Sequence, residues 1–185
     1  MHANTLNGSL LALPVSDRDH VQGPSAATVT LVEYGDYQCK HCHEAYLNLI
    51  SVREIMGTRM RFVFRNFPIS KAHPNAQLAA EAAEAAGAQG KFWDMHDYLF
   101  EHRSHLEVPA LVQYAQTVHL DVDRFQNDLQ TRAFAARVRE DVHSGVRSGV
   151  STTPTFFING VRHDGPWDLQ SLTTALVTAS KRSVD

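Results

Sequence analysis

Cysteine is scarce in this chain: 185 residues contain two. Two are too few for the disulfide framework of a small secreted domain. They stand at Cys39 and Cys42, so a permanent bridge between them would close a tiny loop and constrain the unfolded chain very little. No run approaches the roughly 18 apolar residues needed to cross a bilayer. Lys and Arg form no basic cluster and the net charge is −3, which gives no electrostatic footprint for nucleic acid. No Lys or Arg precedes Arg18. The apolar core of the N-terminus is only residues 10–13, stopped by Pro14, against the roughly 7–15 residues of a secretory signal. Residues 1–23 therefore read as a leader and the protein as cytoplasmic, or as periplasmic if Met1 marks where a signal peptide was trimmed.

What is present suits one globular domain over 24–182. Hydrophobic content of 43% and charged content of 20% are ordinary for a packed α/β chain. The stretch TVTLVEY, 28–34, is β-branched and apolar, and predicts a buried strand. From CKHC the apolar residues Tyr46, Leu47, Leu49, Ile50 and Ile55 follow helical spacing to Gly57. MRFVFRNF, 60–67, predicts a second strand. Between about 72 and 148 the sequence changes to strong helix formers, beginning with PNAQLAAEAAEAAGAQG. Helices are expected over 109–118, 122–129 and 133–148, the second capped by Asp121. After Gly149, TPTFFING gives a strand with a turn at Asn159 and Gly160. VRHDG follows as the return strand, and 167–180 is a last helix with Asp168 as its cap.

The segment DYQCKHCHEAY carries the chemistry, and a Cys-x-x-Cys pair admits three uses. A zinc or iron site fails on ligand count: His41 lies inside the loop and points away from a centre held by both sulfurs, and no second Cys or His pair occurs. A structural bridge fails on loop size. A reversible dithiol at a helix start is left.

The order β-α-β, helices, β-β-α, with the cysteines opening the first helix, resembles the thioredoxin-like fold with an inserted helical subdomain. VTLVEYGDYQCKHC, RFVFRNFPIS with a following HP, AAEAAGAQGKFWDMHDYLF and GVSTTPTFFINGVRHDG together are similar to the DsbA-like thiol:disulfide oxidoreductase family. The resemblance covers about residues 20–180. It implies dithiol–disulfide exchange with protein or small-thiol disulfides, an unidentified redox partner, and no cofactor or metal. The alternative is a non-catalytic binding or chaperone module on the same scaffold.

At the helix start, free N–H groups and the positive end of the dipole favour a thiolate, which makes Cys39 the nucleophile and Cys42 the resolving cysteine. His41 is expected to tune the Cys39 sulfur as a cation or a donor. Lys40 replaces the proline of the best-known members. His43 is expected to be a solvated bystander. Glu33 matches the acid that the family places beneath the disulfide, where it could deprotonate Cys42; otherwise it is a salt-bridged strand-end glutamate. The resemblance implies a cis bond at Pro154, placing Thr153 over the Cys39 sulfur with its N–H and C=O open to an extended substrate. Phe92, Trp93, Tyr98 and Phe100, at helical spacing, read as core before substrate contacts. His73 and Pro74 lie near the exit of the second strand.

Overall fold

A computed structural model describes residues 9–182. A five-stranded sheet runs through its centre in the order β1-β3-β2-β4-β5. β1 is His20–Gln22, β2 Val29–Gly35, β3 Met60–Asn66, β4 Thr155–Ile158 and β5 Val161–His163. β2 and β3 are parallel, in register from Val29 opposite Met60 to Gly35 opposite Asn66. That pairing needs a crossover, which α1, Lys40–Met56, provides. β4 lies antiparallel on the other side of β2, with Glu33 opposite Phe156. The β4–β5 hairpin turns at Asn159 and Gly160, both at positive φ (49° and 81°), as a two-residue primed turn requires.

Because β2 is the central strand, both its faces are covered and its side chains divide between two cores. Leu31 joins Phe62, Phe64 and Phe156 beneath α1 and α7 (Leu169–Arg182). Val32 and Tyr34 point the other way, onto Val63, Phe67, Val150 and Phe157. Five helices separate β3 from β4: α2 Ala76–Gly87, α3 Phe92–Glu101, α4 Val108–Thr117, α5 Val122–Gln130 and α6 Ala135–Arg147. The expected caps form: Asp121 accepts from Arg124 N at 3.0 Å, and Asp168 accepts from Gln170 N and Ser171 N. The insertion aromatics pack inward, with His96 ringed by Tyr37, Tyr46, Phe64, Phe92, Trp93 and Phe100.

The reading of residues 1–23 as a leader needs correction over its described part. β1 pairs antiparallel with β3, and Leu10 bridges Val161. Asp19 meets Arg65 at 2.8 Å with both side chains about 1% exposed. Arg65 also donates to Leu13 O, Pro14 O and the Tyr34 hydroxyl. A three-residue strand has no periodicity to read, and what holds this segment is a buried arginine supplied from β3. Residues 1–8 lie outside the described residues.

Candidate active site

The two cysteines occupy positions with opposite surroundings on one helix. Cys39 is the N-cap of α1, in extended conformation (φ −70°, ψ 126°), so its side chain faces the N–H groups that have no partner in the first turn. Its Sγ lies 3.6 Å from Thr153 O. Its pKa falls from 9.0 to about 5. The main cause is a hydrogen bond with the Cys42 thiol, and the backbone N–H groups of Cys42 and His41 and the Thr153 side chain add to it against the opposing effect of burial. Cys42, one turn further in, is fully buried. Burial pushes its thiol well up, as do the hydrogen bond with Cys39 and the nearby Glu33. Both thiols are free. A thiolate nucleophile beside a protonated thiol is the pairing that stepwise exchange needs.

Glu33 lies at the centre of the sheet, with Phe64 on one flanking strand and Phe156 on the other. It is 1% exposed. Its Oε1 has no hydrogen-bond partner among the described residues, and no ion pair is recorded for it there, so the alternative of a salt-bridged strand-end acid is corrected. Burial, with a contribution from the Cys39 charge, raises its pKa from 4.5 to about 8. Gly35 stands between this carboxylate and the Phe64 ring; a Cβ there would run into Phe64 and come within 3.0 Å of Glu33 Oε1. Across from the cysteines, the Thr153-Pro154 bond is cis. Thr153 is buried and its Oγ1, like Glu33 Oε1, has no partner among the described residues.

Two histidine expectations need correcting. The His41 imidazole is 66% exposed and turns to Glu44, 3.3 Å away, instead of to the Cys39 sulfur. What reaches the sulfur is the His41 backbone N–H, because an N-cap side chain sees the amides two and three residues on. Lys40 also points to Glu44, at 3.6 Å on the surface, where pairs contribute little. His43 is not freely solvated: it is half-buried and its Nδ1 donates to Phe100 O at 2.9 Å, tying α1 to α3. Sequence reading passed over Asp36, whose carbonyl accepts from Cys39 N at 3.1 Å and whose N–H donates to Cys42 Sγ at 3.4 Å. The available signal was an Asp three residues before Cys39, a residue type that commonly bonds its own loop. Among the described residues no group of three His, Cys, Asp or Glu is placed to hold a metal, and no helix is long and apolar enough to cross a membrane.

With Cys39 freed from competition, its reactivity should begin at low pH. Alkylation of Cys39 in the reduced protein is expected to reach half its maximal rate near pH 5, followed by mass spectrometry of the modified peptide. A midpoint near the pKa of about 8.5 of an ordinary thiol would contradict the site geometry.

This sheet order, with a helix start facing a cis-proline and a helical block between β3 and β4, is a thioredoxin fold of the DsbA-like kind. The chain belongs to the thioredoxin family, whose family model matches residues 15–177. The crystal structure of oxidised BdbD from Bacillus subtilis superposes with a TM-score of 0.81 at 24% identity, covering 95% of this chain and 100% of that one. A thioredoxin-like oxidoreductase from Silicibacter pomeroyi gives 0.79 at 26% identity, covering 90% and 94%. Among curated proteins, "Na(+)/H(+) antiporter NhaA 1" of Salinispora arenicola is 48% identical over 172 residues, which is 91% of this chain but 26% of that protein. A protein of the same name from Mycobacterium sp. strain KMS is 42% identical over 172 residues, 91% of this chain and 28% of its own length. The chain thus spans about a quarter of the length of the curated relatives it matches.

Proposed function

We propose that this chain is a thiol:disulfide oxidoreductase that exchanges the Cys39 and Cys42 dithiol with protein or small-thiol disulfides. The observation that carries the proposal is the placing of the two thiols, Cys39 as the N-cap of α1 against Thr153 and Cys42 fully buried one turn further in, which lowers the pKa of the first and raises that of the second.

The Cys39 thiolate attacks one sulfur of a substrate disulfide. The substrate S–S bond breaks, a Cys39–substrate S–S bond forms, and the departing sulfur leaves as a thiolate that takes a proton from solvent. Once the Cys39 charge is neutralised, Glu33 releases its own proton to solvent; the carboxylate then takes the Cys42 proton as Cys42 attacks Cys39 Sγ. The Cys39–Cys42 bond forms, the mixed disulfide breaks, and the second substrate sulfur leaves reduced. The reverse sequence oxidises a substrate dithiol.

Glu33 is timed by charge. While Cys39 is a thiolate, its negative charge helps to keep the proton on Glu33 and the proton on Cys42. Mixed-disulfide formation neutralises that sulfur. Both groups then lose a proton more readily, at the step where Cys42 must be deprotonated. Thr153 O already contacts the Cys39 sulfur, and the edge of the chain there can align an extended substrate.

The test is capture. Cys42→Ser leaves the attacking thiol and removes the resolving one, so the variant should accumulate a covalent mixed disulfide that reductant releases. A Cys42→Ser protein that forms no such adduct with any disulfide-bonded peptide counts against exchange and for the binding-module alternative. A second reading of the partner comes from the relatives: a homologous segment makes up about a quarter of proteins named as Na(+)/H(+) antiporters. On that reading, the partner whose disulfides are exchanged is a membrane cation transporter. Transporter peptides in the captured adduct would support it, and adducts confined to other proteins would remove it.

A further inference from the structure

The exit of β3 reaches the redox centre through a residue that the exchange mechanism above does not use. Asp36 is buried, with no exposed side-chain surface. Its carboxylate is held from three directions: Oδ1 accepts from Gln38 N at 2.8 Å, Oδ2 accepts from Ile69 N at 2.8 Å, and Oδ2 also accepts from His73 Nδ1 at 2.8 Å. The first bond is an Asx turn, which fixes the loop entering α1. The other two clamp that loop to the segment after β3. The backbone of the same residue touches both cysteines, its carbonyl accepting from Cys39 N and its N–H donating to Cys42 Sγ. So the direction of the backbone N–H that donates to the Cys42 sulfur is set by a carboxylate anchored on the far side of the loop.

We propose that Asp36 and His73 are positioning residues for the resolving step, holding the Asp36 N–H on the Cys42 sulfur. The inference rests on the exchange function proposed above and deepens it. A Cys42 thiolate exists only briefly, in a site that otherwise burdens it with burial and a neighbouring carboxylate. An N–H donor already aimed at the sulfur stabilises that thiolate without reorganising when it forms. Cys39 draws its stabilisation from Cys42, from helix N–H groups and from Thr153. The first attack therefore does not depend on the clamp in the same way. His73 completes the clamp as a donor, and its side chain is 24% exposed, so it can be changed without opening the core.

The two steps can be timed separately in the intact reduced chain, using a symmetric aromatic disulfide whose released thiolate absorbs visible light. One thiolate appears when Cys39 attacks and a second when Cys42 resolves. Asp36→Asn keeps one acceptor oxygen and turns an amide towards a donor. It should slow the second phase roughly tenfold and the first by much less. His73→Ala should slow the second phase by about threefold, a smaller loss of alignment, and His73→Gln, which can donate to the same oxygen, should restore it. Both phases at the wild-type rate in Asp36→Asn and His73→Ala, or both phases slowed equally, would overturn the positioning role. A wild-type protein that shows no second phase would instead remove the exchange function itself.

Discussion

Cys39→Ser abolishes exchange, leaving only the uncatalysed reaction of thiols in solution. The expected pH dependence of the lost activity explains what the low pKa contributes. At pH 7 a thiol of pKa about 5 is nearly all thiolate, against about 3% for a free cysteine of pKa about 8.5. That gain of about 30-fold is offset, because nucleophilicity falls with pKa at a Brønsted slope of about 0.4–0.5, or roughly 25–55-fold here. At neutral pH the two effects cancel, so lowering the pKa does not speed the attack. The benefit lies elsewhere. Cys39 becomes a good leaving group when the mixed disulfide breaks, and at pH 5, where ordinary thiols carry almost no thiolate, attack is favoured by roughly 40-fold. The wild-type rate measured with a disulfide-bonded peptide should therefore fall off only below about pH 5, and Cys39→Ser should be inactive at every pH. Retention of full biological activity by Cys39→Ser would favour the non-catalytic module.

Glu33→Gln should make the protein more stable and slower. The carboxyl has an ordinary pKa of 4.5 when unfolded and about 8 when folded. Its folded pKa is raised, so between those values the native state binds more protons than the unfolded one, and stability from this group is lost as pH rises. At pH 7 the loss is roughly 3 kcal/mol. Gln resembles the protonated acid and does not ionise. In denaturant melts in the same redox state, the variant should match the wild type near pH 4.5 and exceed it by about 3 kcal/mol at pH 7. The lowered Cys39 pKa has the opposite slope, adding stability as pH rises through the same window, and it is common to both proteins. The gain comes with a kinetic loss. Without a proton acceptor beside Cys42, resolution of the mixed disulfide should slow by roughly a hundredfold, within the range for a lost general base. Equal stability at both pH values would mean that Glu33 is not buried as described. Unchanged resolution would place the Cys42 proton elsewhere.

The local pattern of the sequence reached most elements, and the places where it stopped share a cause. β2, the alanine-rich α2, the Asp121 and Asp168 caps and the hairpin turn at Asn159 and Gly160 are each specified within a few residues, by periodicity or by turn chemistry. β1 is not. His20–Gln22 owes its place to pairing with β3 and to Asp19 meeting Arg65, 46 residues away. The site divides in the same way. Cys39 at a helix start follows from the helical spacing of the apolar residues after it, whereas the direction of the His41 imidazole depends on Glu44 one turn on. His73 stood out as a motif near the β3 exit, but its use depends on a carboxylate 37 residues earlier. Burial completes the list: Glu33 and a salt-bridged strand-end glutamate look alike in sequence, and the flanking Phe64 and Phe156 separate them.

The most direct test of a reversible Cys39 and Cys42 dithiol is its equilibrium in glutathione buffers, read by acid quenching, alkylation and intact mass. One transition is expected, between a doubly alkylated dithiol and an internal disulfide, without lasting glutathione adducts. The low Cys39 pKa stabilises the reduced form at pH 7 by about two decades relative to a protonated pair, placing the potential about 60 mV more oxidising than that pair. A mass that stays constant across the buffers, or glutathione adducts with no internal disulfide, would contradict the account.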